Sequence, residues 1–142
     1  MSNRGKKGQT LLEVVAAVAL VALVVTALIG LAVAVVRSAT VSRNRAVATS
    51  YAQEGLEALR SIRDRSFEGL KNCCTAATCQ LVPPGSQWTC IDGPGETLSI
   101  FTRSFTKTEV ESGKLKVEMK VEWDDNAGHH GVSIPSWLAD WR

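Results

Sequence analysis

The chain has 142 residues, 45% of them hydrophobic, and a formal net charge of +2. That length holds one small domain, and a single apolar segment takes up part of it. The charge is too small and too scattered to give a reason to expect a nucleic-acid partner held by bulk attraction.

Arg4, Lys6 and Lys7 precede the apolar segment. Without residues 1–8, thirteen basic residues face fourteen acidic ones and the formal charge is −1. From Val14 to Val36 run 23 residues in which Thr26 is the sole polar side chain and Gly30 the sole glycine. At ~1.5 Å per residue this run predicts a helix of roughly 34 Å, enough to cross a hydrocarbon core. The basic residues ahead of it predict a cytoplasmic N-terminus and an exported body, against a weaker opposing vote from Arg37, Arg43 and Arg45. A Sec-type signal peptide cleaved after Ala32-Val33-Ala34 is the competing reading. The apolar stretch exceeds the usual ~7–15-residue core of such signals, which argues against it. Glu13 interrupts the apolar run between Leu12 and Val14. A carboxylate in hydrocarbon costs roughly 2.5–3.5 kcal/mol on insertion scales unless it is paired or sits at the interface. No Lys or Arg follows it within two helical turns, so its partner has to come from another chain or from a new N-terminus.

The segment Lys7-Gly8-Gln9-Thr10-Leu11-Leu12-Glu13-Val14 resembles the class III signal of type IV prepilins. That signal is a short basic leader ending in Gly, followed by a mature chain whose fifth residue is Glu and whose helix is long and apolar. The resemblance implies cleavage between Gly8 and Gln9 by a prepilin peptidase, and N-methylation of the new Gln9 amine. It further implies that Glu13 faces the N-terminal amine of a neighbouring subunit during assembly, which supplies the missing positive charge. Major pilins usually begin with Phe. A chain beginning at Gln9 is closer to the minor pilins and pseudopilins.

No proline occurs before Pro83, so the helix is expected to continue past the membrane to about Leu70, roughly 90 Å in all. Ala48, Ala52, Gly55, Leu59 and Ile62 recur at spacings of three and four, with Tyr51, Leu56, Phe67 and Leu70 beside or beyond them. Glu54, Glu57, Arg60 and Asp64 occupy the other face. Residues Ala48 to Asp64 are similar to the corresponding helix of minor pilins and of the I-type minor pseudopilins of type II secretion.

From Cys73 to Gly95 lie four cysteines, three prolines and three glycines, which reads as an irregular loop pinned by disulfides, with Trp88 packed into it. A bridge between the neighbours Cys73 and Cys74 strains the backbone. Two pairings remain: Cys73–Cys79 with Cys74–Cys90, and Cys73–Cys90 with Cys74–Cys79. A zinc site is disfavoured because no two C-x-x-C units occur.

Strands follow. Leu115, Val117, Met119, Val121 and Trp123 alternate with Lys116, Glu118, Lys120 and Glu122, the mark of a strand with one buried face. Thr97 to Val110 predicts a partner strand with Phe101 and Phe105 on one side, joined to it by a turn at Glu111-Ser112-Gly113-Lys114. A second turn at Asp124–Gly128 leads to a short strand, Val132-Ser133-Ile134, that either ends at Pro135 or lies at an edge. Trp137, Leu138 and Trp141 are expected to fold back on the core.

The expected fold is α+β: a long N-terminal helix packed on a three- or four-stranded antiparallel sheet, which is also the fold that the resemblance implies. Its divisions are a leader at 1–8, a transmembrane and assembly helix at 9–36, an amphipathic helix at 37–72, and a cysteine loop with the sheet at 73–142. His129-His130 is read as a solvated strand start rather than a ligand pair, and the Asp124–Gly128 loop as a polar turn rather than a calcium site. No nucleophile motif is present, so no catalytic residue, metal or cofactor is expected.

The resemblance implies a structural subunit of a type IV pilus or type II secretion pseudopilus. Its partners would be the prepilin peptidase, other pilin or pseudopilin subunits, an inner-membrane assembly platform, and membrane lipid before assembly. Its location would be single-pass in the inner membrane, then in a periplasmic or extracellular filament. The alternatives are a ligand- or DNA-binding minor pilin of an uptake or adhesion system, and an unrelated signal-anchored exported protein.

Overall fold

The first element, α1, is a helix of 61 residues from Gly5 to Arg65. It is seen in a computed structural model that describes residues 5–83, 87–126 and 128–141, with side chains from residue 11 onward; the proposed leader's first four residues lie outside the described residues. The chain divides into two units, Met1–Ser42 and Arg43–Arg142.

In the first unit, α1 is helical from Gly5, and every large apolar side chain from Leu11 to Val36 is 47–72% exposed. Thr26, the polar side chain between Val14 and Val36, is satisfied within the helix: the hydroxyl lies 2.9 Å from the carbonyl oxygens of both Ala22 and Leu23. The segment is long and apolar enough to act as a membrane anchor.

In the second unit, α1 buries the stripe expected from its period, with Ala58 added. Small residues let helix and sheet approach closely. A Cβ on Gly55 would stand 2.8 Å from Met119 Cε, so a larger residue there has to push aside the end of the Met119 side chain. The helix stops earlier than expected. Ser66 adopts extended backbone (φ −160°, ψ 113°), and its hydroxyl accepts from the Gly69 N–H at 2.9 Å. This N-cap opens a separate short helix, α2 (Phe67–Asn72), which buries Leu70. The apolar period carries through the break, which is why it reads as one helix in sequence.

The sheet is antiparallel and has six strands, not three or four. They are β1 (Cys79–Val82), β2 (Thr89–Asp92), β3 (Glu96–Leu98), β4 (Phe101–Glu111), β5 (Lys114–Asp125) and β6 (Gly128–Ala139). Their order is β2-β1-β4-β5-β6, with β3 also paired to β4. The extra strands are short and lie in or beside the segment expected to be irregular. β1 and β2 pair from Cys79↔Asp92 to Val82↔Thr89. β3 turns back on β4 through Ser99, at φ 60°, so Thr97 to Val110 is two strands rather than one.

β5 buries Leu115, Val117, Met119, Val121 and Trp123 as the alternation requires, and β4 buries Phe101 and Phe105 against them. Gly113, at φ 78°, makes the turn between the two strands. β6 runs through Pro135 for twelve residues. It tolerates the proline because it is an edge strand with only β5 beside it. Leu138 is buried, but Trp137 and Trp141 are 56% and 65% exposed and do not enter the core as expected. On β6 the outward and inward positions alternate, and Trp137 falls on the outward set beside Lys116.

Candidate functional site

Four groups of residues carry the chemistry that the fold presents. The first is N-terminal. Gly8 and Gln9 both belong to the α1 backbone, whereas their side chains are not among those described. Glu13 is exposed on the same helix. The neighbours one turn away are Gln9, Thr10, Ala16 and Ala17, none of them cationic. Among the described residues no side chain pairs with Glu13. Among the described residues Glu13 is therefore an unpaired carboxylate at the start of an exposed apolar run, beside Leu11, Leu12, Val14 and Val15. Burying such a surface is worth on the order of tens of kcal/mol, about 1.5–3 for each of its larger side chains.

The second group is the disulfide lobe. Cys73 bonds Cys90 (Cα–Cα 5.4 Å) and Cys74 bonds Cys79 (6.1 Å), one of the two pairings left open by the sequence. Together they tie the end of α2 to the β1–β2 hairpin. The lobe is also held by Asp92, whose carboxylate accepts from the Ala76 N–H (2.8 Å), the Thr75 N–H (2.6 Å) and the Thr75 hydroxyl (3.1 Å). Those donors, the Ala76 and Thr75 amides foremost, hold its pKa below the ordinary carboxylate value. Beneath it Lys107 donates to the Leu70 carbonyl at 3.0 Å and to the Lys71 carbonyl, closing the C-terminal end of α2. Burial lowers the Lys107 pKa, and the charge of Asp92 opposes that effect.

The third group centres on Arg103, which sequence reasoning missed. It is 1% exposed. Its Nε donates to Glu96 Oε2 at 3.1 Å, its Nη2 donates to the same oxygen, and its Nη1 donates to the Tyr51 carbonyl at 3.1 Å. Glu54 lies 3.8 Å from Nη1, and the Trp88 ring centroid lies 5.7 Å from the guanidinium carbon. One side chain thus joins α1, β3, β4 and the disulfide lobe. The signal was present: Phe101, Arg103 and Phe105 occupy alternate positions of one strand, so an arginine between two buried phenylalanines points inward.

The fourth group lies at the end of the β5–β6 hairpin. His129 Nε2 is 2.9 Å from Glu122 Oε1, and its Nδ1 is 3.0 Å from Asp124 Oδ1. Glu122 first, then Asp124, raise its pKa above the ordinary imidazole value. His130 points to the opposite side, where its Nε2 is 3.0 Å from Asp125 Oδ1 and its ring stacks on Trp123 at 5.3 Å. Among the described residues, no group of three or more His, Cys, Asp or Glu side chains is arranged to hold a metal ion.

The structure brings the four cysteines together, and it keeps the Gly8, Gln9 and Glu13 set on one continuous helix. No known protein-family model, curated protein or solved structure matches the chain.

Proposed function

We propose that the chain is a structural minor pilin or pseudopilin subunit, not an enzyme: it is anchored in the inner membrane, then drawn into a filament through its apolar helix. The observation that carries this reading is Glu13, a carboxylate with no partner among the described residues on an exposed apolar helix, five residues after Gly8. In water the helix surface is too apolar to persist, and in lipid the carboxylate is costly. Both demands are met when the helix packs among others like it and a cation meets Glu13.

Hydrolysis of the Gly8–Gln9 peptide bond by a prepilin peptidase creates that cation. The new α-amine of Gln9 is protonated below about pH 7.7–8.0. Methylation keeps the nitrogen basic. A neighbouring subunit's Gln9 ammonium against Glu13 satisfies both charges, and because a buried pair is costly to break, it fixes the axial register of one subunit on the next. The disulfide-closed body is the exported face of the subunit, and an inner-membrane assembly platform extracts it from lipid.

The test is the intact mass and N-terminal peptide of the protein recovered from its native membranes. The expected chain begins at Gln9, with or without a methyl group. A chain that begins after Ala34, or still at Met1, defeats the proposal. Glu13→Val is expected to leave cleavage at Gly8 largely intact and to impair incorporation into filaments. Normal incorporation of that variant would sink the pairing argument.

A further inference from the structure

The β5–β6 hairpin contains a titratable device that the filament reading does not use. The His129 ring lies between two carboxylates of β5, with Nε2 at 2.9 Å from Glu122 and Nδ1 at 3.0 Å from Asp124. A neutral imidazole has one N–H and one lone pair, so it donates to one carboxylate and turns a repelling lone pair to the other. Both contacts are hydrogen bonds only when the ring is an imidazolium. The two carboxylates differ. Glu122 is 29% exposed and also pairs with Lys120 at 2.8 Å, whereas Asp124 is 81% exposed. When the ring loses a proton to solvent, the remaining N–H is best kept at Glu122, and Asp124 is the group released.

We propose that His129 is a proton-operated clasp on the β5–β6 hairpin, closed on Glu122 and Asp124 when protonated and open toward Asp124 when neutral. Asp124 and His129 face each other across the strands, one step from the Asp125↔Gly128 pair that closes the hairpin. The clasp therefore governs the order of the turn it borders. Opening also leaves the outer face of the sheet one charge more negative. The groups that face His129 are Glu122 and Asp124, with Lys120 acting through Glu122; β6 pairs with β5 alone, so β5 is the strand beside the ring. His130 and Asp125 form a separate pair on the inner side against Trp123. The bonds to Glu122 and Asp124 also favour the charged ring, which places the opening above the ordinary imidazole range. The sign follows: the contribution of the clasp is fully present below about pH 6.5 and is lost as pH rises through the native value.

The inference is independent of the filament proposal, because it concerns the body alone. The full chain in detergent micelles has two histidines, so long-range proton–nitrogen spectra resolve each ring through a pH titration. The expected result is a His129 midpoint above about 6.5, with order parameters of the amides at residues 128–131 falling as it titrates. Glu122→Gln and Asp124→Asn should each move the midpoint down. His129→Gln should leave the circular dichroism of the body unchanged and make the turn amides insensitive to pH. A midpoint at or below the ordinary value, a midpoint unmoved in both carboxamide variants, or turn amides that keep one order throughout would each overturn the clasp.

Discussion

The two units of this chain treat charge in opposite ways. In the body, Arg103 is almost wholly buried, and its donors are taken by Glu96 and the Tyr51 carbonyl, with Glu54 and the Trp88 ring beside them. In the apolar half of α1, Glu13 has no such company among the described residues and sits on an exposed surface. A buried charge that is fully paired belongs to folding. A charge that the fold leaves unpaired in an apolar setting belongs to whatever the fold meets next. Under the proposed function, that difference separates the part of the chain complete in itself from the part that neighbouring subunits complete.

The sharpest way to break the comparison is at Arg103. Arg103→Met strands Glu96 in a site where it is 12% exposed and leaves the Tyr51 carbonyl without that donor. Breaking a buried pair in this way costs about 3–5 kcal/mol. Urea unfolding of the detergent-solubilised protein, followed by tryptophan fluorescence, measures it. Adding Glu96→Leu should recover part of the loss, because the uncompensated carboxylate goes with it. A single variant as stable as the parent would show that the pair is ornamental.

The disulfides come next. Cys73 and Cys90 are 17 residues apart and Cys74 and Cys79 are 5 apart. By chain entropy, replacing the first pair with serines should cost about 3 kcal/mol and the second about 2. The same unfolding experiment ranks them. The reverse order would mean that native packing in the lobe, rather than constraint of the unfolded chain, sets the difference.

Asp92 gives a smaller effect that depends on pH. Its folded pKa lies below the ordinary value because the Ala76 and Thr75 amides favour its charged form. Its contribution is therefore present above about pH 3.9 and is lost as pH falls through the depressed native value. Asp92→Asn should flatten that acid limb of a stability–pH profile, and an unchanged limb would place the acid sensitivity elsewhere.

Glu13 stands at the far end of the scale. Glu13→Val should change the unfolding of the body by no more than about 0.5 kcal/mol, since the residue is exposed on the apolar half of α1 and is not part of the buried core. Its effect is expected in assembly alone. A large loss of body stability in that variant would erase the contrast with Arg103.

Local pattern made much of the molecule legible. The apolar segment could be read because 23 consecutive residues need no tertiary partner to declare themselves. The amphipathic stripe of α1 and the alternation of β5 could be read because each repeats one period for several turns or residues. β1, β2 and β3 could not. Runs of three or four residues among prolines, glycines and cysteines hold too few periods to distinguish a strand from a loop, and their ladders come from partners distant in sequence. The end of α1 at Arg65 was hidden because one serine cap interrupts the helix without interrupting the hydrophobic stripe.

The sequence by itself determined the apolar helix, the carboxylate within it, the small-residue face beyond it and the inward face of β5, since each depends on composition or on a period along the chain. Tertiary structure alone decided that Cys73 pairs with Cys90, that Trp137 and Trp141 stay outside, that Arg103 is the buried joint of the body, and that Glu122 and Asp124 close on His129. Those outcomes depend on which residues meet across the sheet, and strand register, not local propensity, sets who meets whom.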